Sequence, residues 1–498
     1  MVKTDIRSLP GPLIFLPESD EAAARKIYRQ AEEGQLQKLY AGVYATDTRA
    51  KPAQIVRQNL LPILGHLVAG AVISHRSAFE LKPSPAGEFF LTAAHRRSLK
   101  LPGVTVRILA GPPAMSGDNV FMAGLHLSSE ARRYLENLQP SRSRGGAGRK
   151  TLDRGEVEHQ LTELARIRGE AALNKLRDEA RAVVAVGDFA AEFKHLDQII
   201  GALLGTRRSR LTAQTAIALA AGQPYDAHRV ELFQALAAAL LRTPLPMKAD
   251  TLADGEPREV QAFCEAWFSN FIEGTRFAID EARAIVFEGH IGSRPKDAHD
   301  VLGTYACIVD PEWAGASPRD AEAYESRLRE RHHRMMRERS EVMPGELKQQ
   351  PNQAGNTVFV EPALVRGTLR RGVELLGGLT DPAARAAFAM FVVAEIHPFR
   401  DGNGRVARLA MNAELSRGGF TRWIVPTVLR EDYLLALRTL TRNGDPQPYL
   451  RILARVAEFS HWLDFTNYAR LHDQLQASGA MLEPDEGQLK IAQKRRTR

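Results

Sequence analysis

The run HPFRDGNGRVAR, residues 397–408, decides how the rest of the chain is read. It lies between two apolar stretches of helical spacing, AARAAFAMFVVAEI before it and RVARLAMNAEL at its end. Between them, Asp401-Gly402-Asn403-Gly404 predicts a tight loop. Glycines on either side of Asn403 permit positive φ, so successive backbone N–H groups can converge on one concavity, an anion nest. The nest opens on a helix N-terminus, whose unbonded N–H groups and dipole also favour phosphate. Arg405 and Arg408 stand three residues apart and share a face beside it. Two guanidiniums so placed suit the oxygens of a polyphosphate. Asp401 offers the hard oxygen that Mg2+ takes when phosphate and water complete its shell. His397 is the one side chain of the run able to act as a base near neutral pH. Pro398 stiffens the exit from the helix, and Phe399 anchors the loop.

Each specified position of the Fic signature H-x-F-x-[D/E]-G-N-G-R-x-x-R is matched, and the run closely resembles that family. The resemblance implies an all-helical Fic core that transfers AMP from ATP to a Ser, Thr or Tyr hydroxyl of a target protein. By the same resemblance His397 deprotonates the hydroxyl, and Asp401 holds Mg2+ against the α- and β-phosphates. The nest from Gly402 to Gly404 cradles those phosphates, Asn403 touches the α-phosphate, and Arg405 and Arg408 hold the β/γ end. Doc-like kinases carry a lysine-bearing variant where Gly404-Arg405 stands here, so the resemblance favours nucleotidyl over phosphoryl transfer.

Upstream, GELKQQPNQAGNTVFVEP (345–362) breaks the helical pattern with Gly, Pro and β-branched residues and predicts an exposed hairpin. It resembles the family's flap, here 345–361, which pairs with a backbone strand of the target. Lys348, Thr357, Val358, Phe359 and Val360 are then its target-facing parts. Further upstream, SNFIEG (269–274) on a predicted helix puts Ser269 and Glu273 on one face. The string is similar to the Fic inhibitory pattern [S/T]-x-x-x-E-[G/N], completed by Gly274, with the inhibitory helix at 266–276. That resemblance implies that Glu273 takes Arg408 away from the γ-phosphate. It also raises the reverse reaction, in which Glu273 positions a water that removes AMP.

The 498 residues hold 67 Lys and Arg against 59 Asp and Glu, and two cysteines, Cys264 and Cys307. Two thiols so far apart make neither a zinc ribbon nor a disulfide scaffold and suit a reducing cytoplasm. The longest wholly apolar run, Ala386–Ala394, has nine residues, against roughly 18 for a bilayer span. No signal peptide is read at the start, so a cytoplasmic chain without a membrane partner is expected. Residues 1–150 carry 21 Lys and Arg against 12 Asp and Glu, and the last eleven residues add five cations. The ends, not the acidic middle, would face a polyanion.

The expected fold class is mainly α: the Fic core with its β-hairpin flap, preceded by a small α/β winged-helix-like domain and a helical connector. The divisions read are 1–140, a basic linker at 141–151, a connector at 152–250, the Fic domain at 251–465 and a C-terminal segment at 466–498 with a basic tail. Residues 20–46, ISHRSAFEL (73–81), GEFFLT (87–92) and LSSEARRYLENL (127–138) are similar to AbiEi-like antitoxin winged-helix proteins. That resemblance implies DNA contact through residues 1–150, with Lys26, Arg29 and Lys38 on phosphates and Arg57 or Arg76 as further candidates. Three readings stay open: the adenylyltransferase, the same enzyme with another nucleotide donor, and a DNA-binding regulator of toxin–antitoxin type whose Fic core serves as an ATP-binding module. A homodimer is left open as well.

Overall fold

Two structural units meet between Ala221 and Gly222 in the computed structural model, which describes residues 13–17, 19–141, 148–207 and 209–491. In the first unit, strand β1 (Leu13–Phe15) precedes helix α1 (Glu21–Glu32), which Asp20 caps by accepting from Ala23 N at 2.9 Å. A hairpin forms from β2 (Gln37–Tyr40) and β3 (Val43–Ala45), turning at Gly42 with φ 75°. β1 adds a third strand that the sequence reading missed, pairing Leu13 with Ala45. Two helices follow, α2 (Pro52–Gln58) and α3 (Leu60–Leu67). Pro62 accounts for the break, because its ring would strike the carbonyl of Gln58 in a continuous helix.

Next come β4 (Val72–Ile73), α4 (His75–Glu80), β5 (Glu88–Ala93), β6 (Arg97–Leu101), β7 (Val104–Ala110), β8 (Asn119–Val120), β9 (His126–Leu127) and α5 (Glu130–Asn137). The strands β4 to β9 make one mixed sheet in the order β6-β7-β5-β4-β9-β8. β6 escaped sequence reading because it is a polar strand at the sheet's edge, with Arg97, Ser98 and Lys100 exposed. Among the expected phosphate contacts, Lys26, Lys38 and Arg57 are exposed and Arg29 stands 3.8 Å from Glu33. Arg76 is a correction: its guanidinium is paired with Glu80 at 2.8 Å and largely covered.

The basic linker is a second correction. Residues 142–147 lie outside the described residues, but the stretch that follows is fastened down. Gly148 N donates to Glu88 Oε2 at 2.7 Å, Lys150 Nζ to Gln139 Oε1 at 2.7 Å and Leu152 N to Asn137 Oδ1 at 2.8 Å. Four helices follow, α6 (Arg154–Arg168), α7 (Glu170–Val184), α8 (Ala190–Leu203) and α9 (Gln214–Ala220). Their apolar faces share a core with Ala131, Tyr134 and Leu135 of α5. The connector expected at 152–250 is therefore not one element. These four helices bury their stripes in the first unit, and the next helix belongs to the second.

That helix is α10 (Ala227–Leu240), whose Phe233 meets Phe388 and Phe391 edge-on at 6.2 and 6.0 Å. Then come α11 (Glu256–Ile272), α12 (Ile279–Glu288), α13 (Pro295–Val309), α14 (Pro311–Ala314) and α15 (Ala321–Met336). The flap is β10 (Gln353–Ala354) paired antiparallel with β11 (Thr357–Val358). Beyond it lie α16 (Val365–Gly377), α17 (Pro382–Ile396), α18 (Asn403–Arg417), α19 (Arg430–Asn443), α20 (Gln447–Trp462) and α21 (Tyr468–Ser478). α17 is the heart of the core: Phe388, Met390 and Phe391 are wholly buried. The core also runs past the expected boundary at 465, since Leu471, Leu475, Ala480 and Leu489 join it. Residues 492–498, which hold most of the basic tail, lie outside the described residues. Within the described residues no helix is long and apolar enough to cross a membrane. The architecture is mainly α, with a β-hairpin flap and a preceding α/β region.

Candidate active site

α17 ends at Ile396, and His397 is its C-cap in the left-handed region at φ 53°. A non-glycine residue held there stores strain of about 1 kcal/mol or more, which the surrounding structure must impose. Its backbone N–H donates to Val393 O at 3.0 Å, and its Nδ1 lies 3.0 Å from Ala394 O. A carbonyl can only accept, so Nδ1 carries the proton and Nε2 keeps the lone pair. Phe359 of the flap stacks on the imidazole, ring centroids 3.7 Å apart and 4° from parallel. Burial pushes the imidazole pKa down to about 4.

In the free protein, His397 is therefore expected to titrate with a midpoint of about 4 rather than 6.5. Its folded pKa lies below its unfolded one, so protonation favours the unfolded chain. The contribution of this site to stability is whole above about pH 6.5 and declines as pH falls toward 4. Imidazole 15N shifts of histidine-labelled protein, assigned with His397→Asn, check this; a midpoint above 6 would contradict it.

The loop after His397 is held by its own asparagine. Asn403 Oδ1 accepts from Phe399 N at 2.8 Å and its Nδ2 donates to Phe399 O at 2.9 Å. The side chain expected at an α-phosphate is instead a buried brace of the loop. Phe399 is fully buried and stacks on His332 at 4.0 Å and 2°. His332 lies 3.1 Å through Nε2 from the carbonyl of Asp401, and accepts from Gly345 N at 2.9 Å on Nδ1. Burial lowers its pKa to about 4, which keeps it neutral for those two roles. The sequence offered only a His-His pair on a helix here.

Gly402 adopts φ 74° and starts α18, where no side chain caps the first N–H groups. Asp401 is exposed at this mouth, with Oδ1 accepting from Gly402 N at 2.6 Å. Over Gly404 sits the carboxylate of Glu273, so close that a Cβ added to the glycine would fall 2.1 Å from Oε1. An internal carboxylate thus lies against Gly404, and only glycine leaves room for it.

Arg408 is taken by the end of α11 in three ways. Its Nη2 meets Glu273 Oε1 and Ser269 O, each at 2.8 Å, and its Nε donates to Ser269 Oγ at 2.9 Å. Burial works to raise the Glu273 carboxyl, but Arg408, helped by Arg405 and His397, outweighs it and holds the group below the usual carboxylate range. Gly274 closes the helix at φ 96°. The helix expected at 266–276 instead runs from Glu256 to Ile272, with Glu273 as its C-cap, and is pinned to α18 farther back by Asn412, whose Nδ2 donates to buried Glu265 at 2.7 Å.

Arg405 corrects the picture of two equivalent guanidiniums facing phosphate. Its Nη1 pairs with Asp300 at 2.8 Å and donates to Asn270 Oδ1 at 3.1 Å. Asp300 also holds Arg339 two ways, at 2.7 and 3.0 Å. Neither Asp300 nor Arg339 had been read as part of the site.

Two of the five flap residues are corrections as well. Lys348 is buried, with Nζ donating to Asn352 Oδ1 at 2.6 Å and Ile396 O at 3.2 Å. Burial lowers its pKa to about 8. It latches the flap to the end of α17 and faces no target. Val360 is wholly buried in the core. Thr357 and Val358 remain at the surface, and Phe359 covers His397. Asn352, unread in sequence, donates to Phe399 O at 2.9 Å.

Residues 323–415 match the Fic/DOC family, a span running from α15 through the flap to the end of α18 and leaving out 269–274. The chain is similar to protein adenylyltransferase fic-1 of Caenorhabditis elegans, 31% identical over 195 residues, which is 38% of this chain and 38% of that relative. It is 44% identical to protein adenylyltransferase Fic of Nematostella vectensis over 77 residues, 16% of this chain and 18% of the relative. A solved structure of Fic-1 from C. elegans aligns over 65% of this chain and 93% of that one, at 21% identity and a TM-score of 0.37. The chain thus spans little more than a third of the length of that fic-1 relative, and the part that matches the family carries His397 and the loop from Asp401 to Arg408.

Proposed function

We propose that this chain is an autoinhibited protein adenylyltransferase that moves AMP from ATP to a hydroxyl side chain of a target protein. The observation that carries the reading is the seating of Glu273: a carboxylate rests over Gly404 and on Arg408, so the pocket is built for an anion beside a neutral imidazole. The family match over 323–415, which holds His397, Gly404 and Arg408, and relatives named protein adenylyltransferase support the same chemistry. The N-terminus of α18 and Arg408 would take the phosphates once Glu273 leaves.

In the transfer, His397 Nε2 accepts the proton of the target hydroxyl while Nδ1–H stays on Ala394 O. The hydroxyl oxygen bonds to the α-phosphorus, the bond from that phosphorus to the bridging oxygen breaks, and pyrophosphate leaves. Catalysis of this kind is chiefly positioning and charge stabilisation.

Mg2+ fits the donors present. Asp401 is one exposed carboxylate at the mouth of the nest, and among the described residues no cluster of three His, Cys, Asp or Glu forms a cage. That donor set suits an ion completed by phosphate and water. Bound there, Mg2+ would neutralise charge on the phosphates, with Asp401 as its protein ligand.

The test is intact mass and peptide mass spectrometry of proteins incubated with the chain, ATP and Mg2+. An added AMP on Ser, Thr or Tyr is expected; an added phosphate, or no adduct from the Glu273→Gly form, would refute the reading.

A further inference from the structure

The flap is two residue pairs long, Gln353 with Val358 and Ala354 with Thr357. A hairpin that short does not hold itself in water, so its conformation must be imposed from outside. One of its supports comes from α10, the helix that sequence reading had placed in a connector. Arg229 Nη2 donates to Val358 O at 2.6 Å, and Nη1 pairs with Glu395 Oε1 at 2.8 Å. Both side chains are largely buried, 11% and 4% exposed. Glu395 Oε2 in turn accepts from Thr441 Oγ1 at 2.6 Å, and the next residue, Arg442, donates to Thr357 Oγ1 at 3.2 Å. α10 is itself fixed, since Asp226 N at its start donates to Thr368 Oγ1 of α16 at 2.9 Å.

A buried ion pair is weak support for stability, and its best-attested use is to fix register. Register matters here, because a one-residue slip of a strand turns each side chain to the opposite face. Glu395 lies two residues before His397, so the network ties the flap strand to the helix end that presents the imidazole.

We propose that Arg229, backed by Glu395 and Thr441, is a positioning residue that sets the backbone register of β11 for an extended segment of the acceptor protein. This assignment rests on the AMP-transfer reading above. Arg229 touches no reacting atom and acts through the Val358 carbonyl.

The experiment uses the full chain carrying Glu273→Gly, with and without Arg229→Ala or Arg229→Lys. Three quantities are read: hydrogen exchange of the flap amides, ATP affinity, and labelled AMP delivered to the proteins of a cell extract against AMP released to water. Arg229→Ala is expected to speed flap exchange about tenfold and to cut protein labelling about tenfold, with ATP affinity and release to water within about twofold of the parent. Arg229→Lys keeps a cation opposite Glu395 and restores part of the labelling. Unchanged flap exchange, or a loosened flap with undiminished labelling, overturns the assignment. Should Arg229→Ala unfold, Arg229→Lys decides by the same readings. If the Glu273→Gly parent labels no protein, the AMP-transfer reading fails, and flap exchange alone still decides whether Arg229 holds the strand.

Discussion

Glu273→Gly is expected to incorporate labelled AMP about 10- to 100-fold faster than the unsubstituted chain. The estimate comes from one charge-assisted hydrogen bond of about 1.5–3 kcal/mol, at about 1.4 kcal/mol per tenfold. That bond is the 2.8 Å contact between Arg408 and Glu273, and a phosphate must break it to gain the guanidinium. The same substitution clears the space over Gly404. Glu273→Gln separates the two effects, because it keeps the volume and loses the charge; its rate should fall between the other two. Acid should not mimic the substitution in the usual assay range. The carboxyl is held below its ordinary pKa, so the contact is intact above the carboxylate range and is lost only as pH falls through that lowered value. The ratio of Glu273→Gly to unsubstituted rates is thus expected to stay level from about pH 6 to 8. Equal rates for the two forms at pH 7 would remove the brake.

What sequence made legible here was what sits close along the chain. Residues 397–408 bring base, loop glycines and helix start together within one turn of structure, so their spacing alone predicts a pocket. Ser269 and Glu273 were legible as a pair because four residues make one helical turn, and the resemblance supplied Arg408 as their partner. What stayed hidden depends on contacts across long separations. Asp300 on α13 claims Arg405, His332 on α15 fastens the Asp401 carbonyl, and Arg229 on α10 reaches the flap. Nothing in the local pattern of those helices distinguishes such residues from the solvated charges around them. Lys348 and Val360 were misread for a different reason. Both lie outside the short strand pair, where alternation gives no face, and contacts distant in sequence bury them, Lys348 against the end of α17 and Val360 in the core.

His397→Asn, made in the Glu273→Gly background, is expected to lose transfer by about a thousandfold, within the 10²–10⁴ range of a positioned general base. Asparagine is the better probe than alanine because residue 397 sits at φ 53°. Asparagine enters the left-handed region more readily than other residues with a Cβ, so a loss of rate reports chemistry and not a rearranged loop. ATP affinity should stay within about twofold, since an interaction made only in the transition state lowers kcat and leaves binding alone. The neutral imidazole sharpens the expectation. With Nδ1–H held by Ala394 O, Nε2 has its lone pair available without prior deprotonation, and burial keeps it so down to about pH 4 in the free protein. No other residue of the loop can replace it: Asp401 opens toward solvent at the nest, and Asn403 is committed to Phe399. A variant that binds ATP and transfers AMP at the parent rate would show that the imidazole is not the base. The helical core would then be a nucleotide-binding module, and the regulator reading would gain what the enzyme loses.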